Sequence, residues 1–191
     1  MFSMRQRNYL WPCLVIAGAL AMTAFQLHRQ GRILWCACGH LNVWAGDIWS
    51  VHNSQHLLDP YSFTHVLHGM ALCGILAVFL FRMPLVWRLT LAAFLEGLWE
   101  IIENSQWVIH RYRDSTANIG YCGDSIANSM ADIACCAIGF VLAHYLGWKR
   151  SAALFAVIEL VLIICIRDSL TLNIIMLVHP VEAIRSWQMA Q

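Results

Sequence analysis

Five long apolar runs joined by shorter polar segments constrain the fold of this chain more than any other feature of its sequence. A helix needs about 20 residues to cross the hydrocarbon core of a bilayer, and fewer when flanking side chains reach the interface. Helices also satisfy the backbone hydrogen bonds of an isolated span in lipid. We therefore expect an all-α, polytopic transmembrane helical bundle of about five spans, with residues 1–191 forming a single integral membrane domain. The runs are residues 9–26, 62–81, 89–108, 121–145 and 152–166.

The composition agrees with a protein whose main partner is the lipid bilayer. Hydrophobic residues make up 60% of the chain and charged residues 12%, whereas soluble domains average about 25% charged residues. The net charge is +1 and the sequence has no basic cluster, so nothing favours a nucleic-acid partner. The last apolar run continues through residues 170–178 after Arg167 and Asp168. This continuation predicts a broken extension, a re-entrant segment or an interfacial helix.

The basic residues predict which ends of the runs face the cytoplasm, because short cytoplasmic segments carry an excess of Lys and Arg. Three short segments hold six basic residues and no acidic ones. This pattern predicts a cytoplasmic N-terminus and an extracytoplasmic loop at about residues 27–61, in a cell inner membrane. Alternatively, the first run is a signal peptide, since Ala19-Leu20-Ala21 resembles a cleavage site. The basic residues are Arg5, Arg7, Arg82, Arg88, Lys149 and Arg150.

Ionisable side chains lie toward one end of four runs, and alternating spans would bring those ends into the same leaflet. Ionisable groups within spans are costly and usually mark a functional site. Helical spacing puts the histidines on one face, the glutamates on another and the aspartates on a third. The side chains are His65 and His68; Glu96, Glu100 and Glu103; Asp124 and Asp132; and Arg167 with Asp168.

These residue types suit a divalent metal such as zinc, which imidazole and carboxylate groups bind and which activates water. We expect His65, His68 and Asp124 to be the metal ligands. Either Glu100 or Glu103 would then be the catalytic general base. An arginine would bind an anionic part of the substrate, and the two candidates are Arg113 and Arg167. Protonated glutamates would relieve the crowding of carboxylates equally well.

Three of the eight cysteines fall in the predicted extracytoplasmic region, namely Cys36, Cys38 and Cys122. A Cys-x-Cys pair followed by His40 suits a soft metal. In an oxidising compartment, one cysteine of the pair could instead form a disulfide with Cys122. These two alternatives, and a third in which the cysteines form neither a disulfide nor a metal site, stay open at the level of sequence. The other five cysteines lie within the runs and are expected to pack as small apolar residues.

The chain contains three long motifs, SFTHVLHG at 62–69, EGLWEIIENS at 96–105 and YCGDSIANS at 121–129, and shorter ones at 36–39, 53–56, 111–113 and 167–176. Together they resemble the motifs of a protein family of unknown function, a group of small bacterial multi-pass inner-membrane proteins. The resemblance covers residues 30–188 and implies a cell-membrane location without an activity. More loosely, the histidine, glutamate and Asp-x-x-x-Asn pattern is similar to VanZ-like membrane proteins.

Three classes of function fit this pattern. The first is a membrane-embedded, metal-assisted hydrolase or transferase that acts on a lipid-linked or envelope substrate at the outer leaflet. The second is a proton- or ion-coupled transport component that uses the carboxylates as a relay. The third is a structural or assembly factor in which the polar groups only fasten helices together. Metal analysis of the purified protein separates the first class from the others.

Overall fold

The structure is a computed structural model that describes residues 4–40, 42–116 and 120–190. Within these ranges the chain is all-α, as predicted, with seven helices and no strand. An isolated β-bridge joins Trp44 to Leu58 in the loop after the first helix. The helices are α1 (Met4–Arg29), α2 (Ser62–Phe79), α3 (Leu85–Glu103), α4 (Gln106–Ser115), α5 (Ile126–Ile166), α6 (Leu170–Val178) and α7 (Glu182–Met189).

Two helices of the described residues are long and apolar enough to cross a membrane, Tyr9–Arg29 and Ser62–Phe79. The third apolar run carries three glutamates along α3. The fourth and fifth runs form the two helical halves of α5, which are separated at Gly147, where φ is 73° and ψ is 166°. Glycine adopts such a positive φ without steric cost. The five-span arrangement therefore stays a prediction.

The third run departs from its predicted boundary. We expected it to extend to residue 108, but α3 ends at Glu103 and α4 begins at Gln106. The Ser105 hydroxyl accepts a hydrogen bond from the backbone N–H of Val108, so it caps the N-terminus of α4. The chain therefore turns out of α3 just beyond the last glutamate. The short α6 has nine residues, too few to span a bilayer alone, where about 20 are needed.

Helices α2 and α5 pack as closely as their backbones allow. A Cβ atom on Gly69 would lie 1.9 Å from the Cys136 carbonyl oxygen, and one on Gly139 would lie 2.0 Å from that of Val66. Small residues permit such close packing between helices. Apolar side chains fill the rest of the interface, including Leu67, Met70, Cys73, Phe140 and Ala143.

The loop between α1 and α2 folds back onto the start of α5. The Ser125 backbone N–H donates to the Ser54 carbonyl oxygen at 2.9 Å, and the Gln55 amide donates to the Gly123 carbonyl oxygen at 2.8 Å. The Asn128 amide donates to the Leu57 carbonyl oxygen at 3.3 Å. These contacts bring the loop to the end of the bundle that carries the ionisable residues.

Candidate functional site

Glu96 lies at the centre of the candidate site. His65 and His68 lie one turn apart on α2, and the Nδ1 atoms of both approach the same Glu96 Oε1 atom, at 2.6 Å and 2.9 Å. The ligand atoms of these residues all lie within 4.8 Å of one another. This spacing suits a group that binds one metal ion through two imidazoles and a carboxylate.

His65 also faces two further carboxylates. Its Nδ1 atom lies 3.4 Å from Glu100 Oε1, and its Nε2 atom lies 3.9 Å from Asp132 Oδ2. Together with Glu100 and Glu103 it forms a second group whose ligand atoms lie within 4.8 Å of one another. His65 is therefore shared between two overlapping sets of potential metal ligands.

Several carboxylate oxygens of this cluster are buried and have no hydrogen-bond partner among the described residues. They are both oxygens of Glu100, Oε2 of Glu103 and Oδ1 of Asp132. Glu100 itself is completely buried. Buried polar groups are almost always hydrogen-bonded, and an unpaired buried charge is costly. A cation, a shared proton or an ordered water would satisfy these atoms.

Asp124 belongs to a neighbouring hydrogen-bond network rather than to the histidine cluster. Its carboxylate accepts from the Asn104 amide at 2.8 Å and from the Tyr121 hydroxyl at 3.0 Å. Its backbone N–H donates to the Asn104 amide oxygen at 2.7 Å. Asp124 is in neither set of potential ligands around His65 among the described residues. These contacts fix its carboxylate without a metal.

Asp59 and Asp168 close the site on the loop side. Asp59 accepts from the backbone N–H groups of Ser54 and Tyr61 at 2.9 Å and 2.7 Å, while Asp168 Oδ2 accepts from the Tyr61 hydroxyl at 3.1 Å. Burial raises the pKa of Asp59 to about 6 and that of Asp168 to about 7. Both carboxyl groups therefore titrate near neutral pH.

A cavity of about 390 Å³ joins these groups. Its polar side includes the imidazoles of His65 and His68 and the backbone or side chains of the loop residues Asn53 and Ser54. The apolar side is formed by α2, α3 and α6. The Trp99 ring meets His68 edge-on at 5.9 Å between ring centroids. Six acidic residues also line the cavity, namely Asp59, Glu96, Glu103, Asp124, Asp132 and Asp168. The apolar lining consists of Ala71, Leu72, Ile75, Leu95, Trp99, Leu170, Ile174 and Leu177.

Most of the side chains predicted to converge line one cavity, but Glu100 and Arg167 do not. Glu96 lines the cavity although it was not among the residues assigned a role. His68 and Glu96 each lie 14 residues from Arg82, which falls in the connection between α2 and α3. Antiparallel helices joined by a short connection bring such equidistant residues to the same level. This count was the signal that could have identified Glu96 as the partner of the histidines.

The predicted substrate-binding arginines donate hydrogen bonds to backbone carbonyl oxygens and are not themselves among the residues that line the cavity. Arg113 donates from Nε to the Tyr121 carbonyl oxygen. Arg167 donates to the Trp187 carbonyl oxygen at 2.9 Å, and its guanidinium carbon lies 5.7 Å from the centroid of the same tryptophan ring. Neither arginine lines the cavity. Substrate binding by these residues stays a prediction.

The three cysteines of the loop region are free thiols in the structure. The Cys122 sulfur is directed to the neighbouring Gly123 carbonyl oxygen at 3.9 Å. The sulfurs of Cys36 and Cys38 instead lie beside histidine nitrogens of the same loop. A disulfide to Cys122 is therefore not formed in this conformation.

Comparison with known proteins identifies relatives along nearly the whole chain. A UPF0314 protein of Brucella anthropi is 42% identical over 175 residues, which cover 92% of this chain and 89% of the relative. UPF0314 proteins of Rhizobium meliloti and Sphingopyxis alaskensis are 41% identical over 184 residues and 43% identical over 175 residues. These alignments cover 96% and 92% of this chain, respectively, and 93% of each relative. No solved structure matches the chain.

The family model described as a protein of unknown function, DUF2585, matches residues 27–190. The match includes the histidines of α2, the glutamates of α3 and the loop cysteines. The looser likeness to VanZ-like proteins stays a prediction. The chain therefore belongs to the DUF2585 family, in agreement with the resemblance that its motifs indicated.

Proposed function

We propose that this protein is a multi-pass inner-membrane enzyme whose cavity binds one divalent metal ion and hydrolyses, or transfers a group from, a lipid-linked substrate at the outer leaflet. One observation carries the proposal. Around His65, buried carboxylate oxygens have no hydrogen-bond partner among the described residues, and they adjoin a cavity that also has an apolar wall. Both features suit a cationic centre next to an amphiphilic ligand.

The best set of metal ligands is His65, His68 and Glu96. Two imidazoles and one carboxylate, with the fourth position left to water, are a ligand set used by catalytic zinc sites. The distances of 2.6 Å and 2.9 Å from Nδ1 to Oε1 are shorter than the separation of about 3.4 Å between ligands on one tetrahedral zinc ion. A small rotation of Glu96 would therefore accompany metal binding.

Glu100 and Glu103 suit the role of general base. Both lie on the face of α3 that carries Glu96, and both have carboxylate oxygens without hydrogen-bond partners among the described residues. A bound divalent metal makes water more acidic. A carboxylate beside that water can accept its proton and return it to a leaving group.

The cavity fits an amphiphilic substrate better than a small polar one. Its apolar wall includes Ile75 and Ile174, whose side chains are also exposed on the outer surface of the helices. An acyl or prenyl chain could therefore enter from the bilayer between α2 and α6. The head group would lie against the polar side, where Asn128 and Asn53 offer amide groups.

The outer surface of the helices supports a membrane location. Large apolar side chains such as Trp11 and Phe25 of α1 and Ile164 of α5 are exposed by 64%, 61% and 72%. Such surfaces are rarely left in water. We propose that the N-terminus is cytoplasmic, so that the cavity opens at the outer leaflet. In a variant whose eight native cysteines are replaced by serine, a membrane-impermeant maleimide should then label Val51→Cys and spare Met83→Cys in intact cells, and the opposite pattern would put the cavity on the cytoplasmic side.

Metal content of the full-length protein purified in detergent tests the proposal. We expect about one equivalent of metal to be lost from His68→Asn and from Glu96→Gln, because each substitution removes a ligand. His144→Asn is the matched control, because His144 is exposed on α5 and outside the cavity. Asp124→Asn should also retain the metal, because Asn104 and Tyr121 already satisfy that carboxylate.

Equal metal content in wild type and both ligand variants would overturn the proposal. The unpartnered carboxylates would then be protonated, and the cavity would serve proton transfer or helix fastening instead of metal-assisted chemistry.

A further inference from the structure

We propose that the extracytoplasmic loop contains a second, structural metal site, in which Cys36, Cys38, His52 and His56 bind one zinc ion. The ligand atoms of these four residues all lie within 4.8 Å of one another. Two thiolates and two imidazoles form a closed tetrahedral ligand set that is typical of structural zinc. This site does not depend on the proposed catalytic metal, because the two groups share no residue.

The distances between sulfur and nitrogen fit a shared ion. Cys36 Sγ lies 3.4 Å from His52 Nδ1, and Cys38 Sγ lies 3.9 Å from His56 Nε2. Bond lengths of about 2.3 Å for Zn–S and about 2.05 Å for Zn–N imply a separation of about 3.5 Å between ligands at the tetrahedral angle. Both measured separations therefore lie within about 0.4 Å of the value expected for two ligands on one tetrahedral zinc ion.

The sequence spacing is also compatible with zinc. His52 and His56 follow the H-x₃₋₅-H pattern, whereas the cysteines are separated by one residue and not by the more usual two to four. Gly39 adopts φ 75° directly after the second cysteine, which lets the chain turn sharply there. The Trp35 indole donates to the His40 carbonyl oxygen at 2.8 Å and closes the turn.

The surroundings protect the site on one side. Cys36 and His56 are buried, with His56 exposed by only 1%. The Trp35 ring meets the His56 ring edge-on at 5.9 Å between centroids. Cys38 remains partly exposed, so a metal ion has a path into the site. No other cysteine is needed, because these four residues already supply a complete tetrahedral ligand set.

The role of the zinc ion would be to fix the loop over the cavity. His56 is the last ligand in the chain, and the preceding Asn53 and Ser54 line the cavity. Ser54 has a positive φ of 59°, a conformation that is unfavourable for a serine and requires support from its surroundings. Structural zinc supplies such support because its binding free energy becomes folding free energy.

Cobalt substitution of the full-length protein in detergent tests this site separately from the one in the membrane. Thiolate ligands give Co²⁺ an intense charge-transfer band in the near ultraviolet, whereas a site of histidine and carboxylate lacks it. We expect about one equivalent of Co²⁺ to develop the band in wild type, and added Zn²⁺ to abolish it. At one equivalent of Co²⁺, Cys38→Ser and His52→Asn should each decrease the intensity of the charge-transfer band by more than about fivefold, because the loss of a ligand weakens metal binding.

Three control variants should retain the band. Cys122→Ser removes another thiol of the same region, His110→Asn removes an exposed histidine of α4, and His68→Asn removes a ligand of the proposed catalytic metal. No band in wild type, or a band that survives Cys38→Ser, would overturn the zinc site. A band that disappears only in Cys122→Ser would do the same. If His68→Asn loses metal but keeps the band, both proposals stand independently.

Discussion

At the scale of residues, the sequence identified the chemistry of the site better than its pairings. His65, His68, Glu103 and Asp124 line one cavity as their helical spacing predicted. Spacing along one helix cannot determine which carboxylate of the next helix faces a given histidine, because that depends on the length of the connection and the rotation of both helices. In the structure the histidines contact Glu96, whereas the Asp124 carboxylate accepts a hydrogen bond from the Asn104 amide.

The buried Asp168 leads to a prediction about how the stability of the protein depends on pH. Burial raises its pKa from 3.8 to about 7, so the folded protein keeps a proton that the unfolded chain releases. Between about pH 4 and about pH 7 the unfolded state therefore binds fewer protons than the folded state. The free energy of unfolding consequently falls as the pH rises through this interval. Asp168→Asn should make the fall in melting temperature between about pH 5 and about pH 8 smaller than in wild type.

Asp114→Asn is the control for this measurement, because Asp114 is exposed on α4. Thermal unfolding in detergent at several pH values measures the slope for each protein. If Asp168→Asn and Asp114→Asn both keep the wild-type slope, the buried Asp168 does not titrate as inferred.

At the scale of elements, the apolar runs predicted most helices, and local chemistry decided where they end. The break at Gly147 agrees with its predicted position in a short connection. The end of α3 was missed because the third run was extended to Val108 across the polar residues Asn104, Ser105 and Gln106, whereas the Ser105 side chain caps the start of a new helix there. The short α7 (Glu182–Met189) lies beyond the apolar runs, so hydropathy gave no signal for it.

The contact between α2 and α5 gives a prediction about glycine. Gly69→Ala would bring its new Cβ to 1.9 Å from the Cys136 carbonyl oxygen, which is backbone and cannot rotate away. We expect the helices to separate at a cost of about 1–3 kcal/mol or more in unfolding free energy. Gly74→Ala on the same helix meets no atom within 4 Å, and it should be neutral or stabilising by up to about 1 kcal/mol. Unfolding of both variants in detergent measures the difference, and equal stabilities would contradict the close packing.

At the scale of the whole molecule, polar groups gather at one end of a largely apolar bundle. The loop after α1 folds over this end, and α6 forms part of the cavity wall that hydropathy alone left undefined. Because the loop residues are polar and far from α5 in sequence, their docking could not be predicted from spacing. The molecule therefore has two separate candidate metal centres, one within the bundle and one in the loop that covers it.

The most direct test of the central claim is anomalous X-ray scattering from crystals of the full-length protein loaded with zinc, measured on both sides of the zinc absorption edge. We predict an anomalous peak between His65, His68 and Glu96, at about 2.0–2.2 Å from two nitrogens and a carboxylate oxygen. A well-ordered cavity without a peak at these residues would contradict the proposed metal centre, even if the loop cysteines hold zinc.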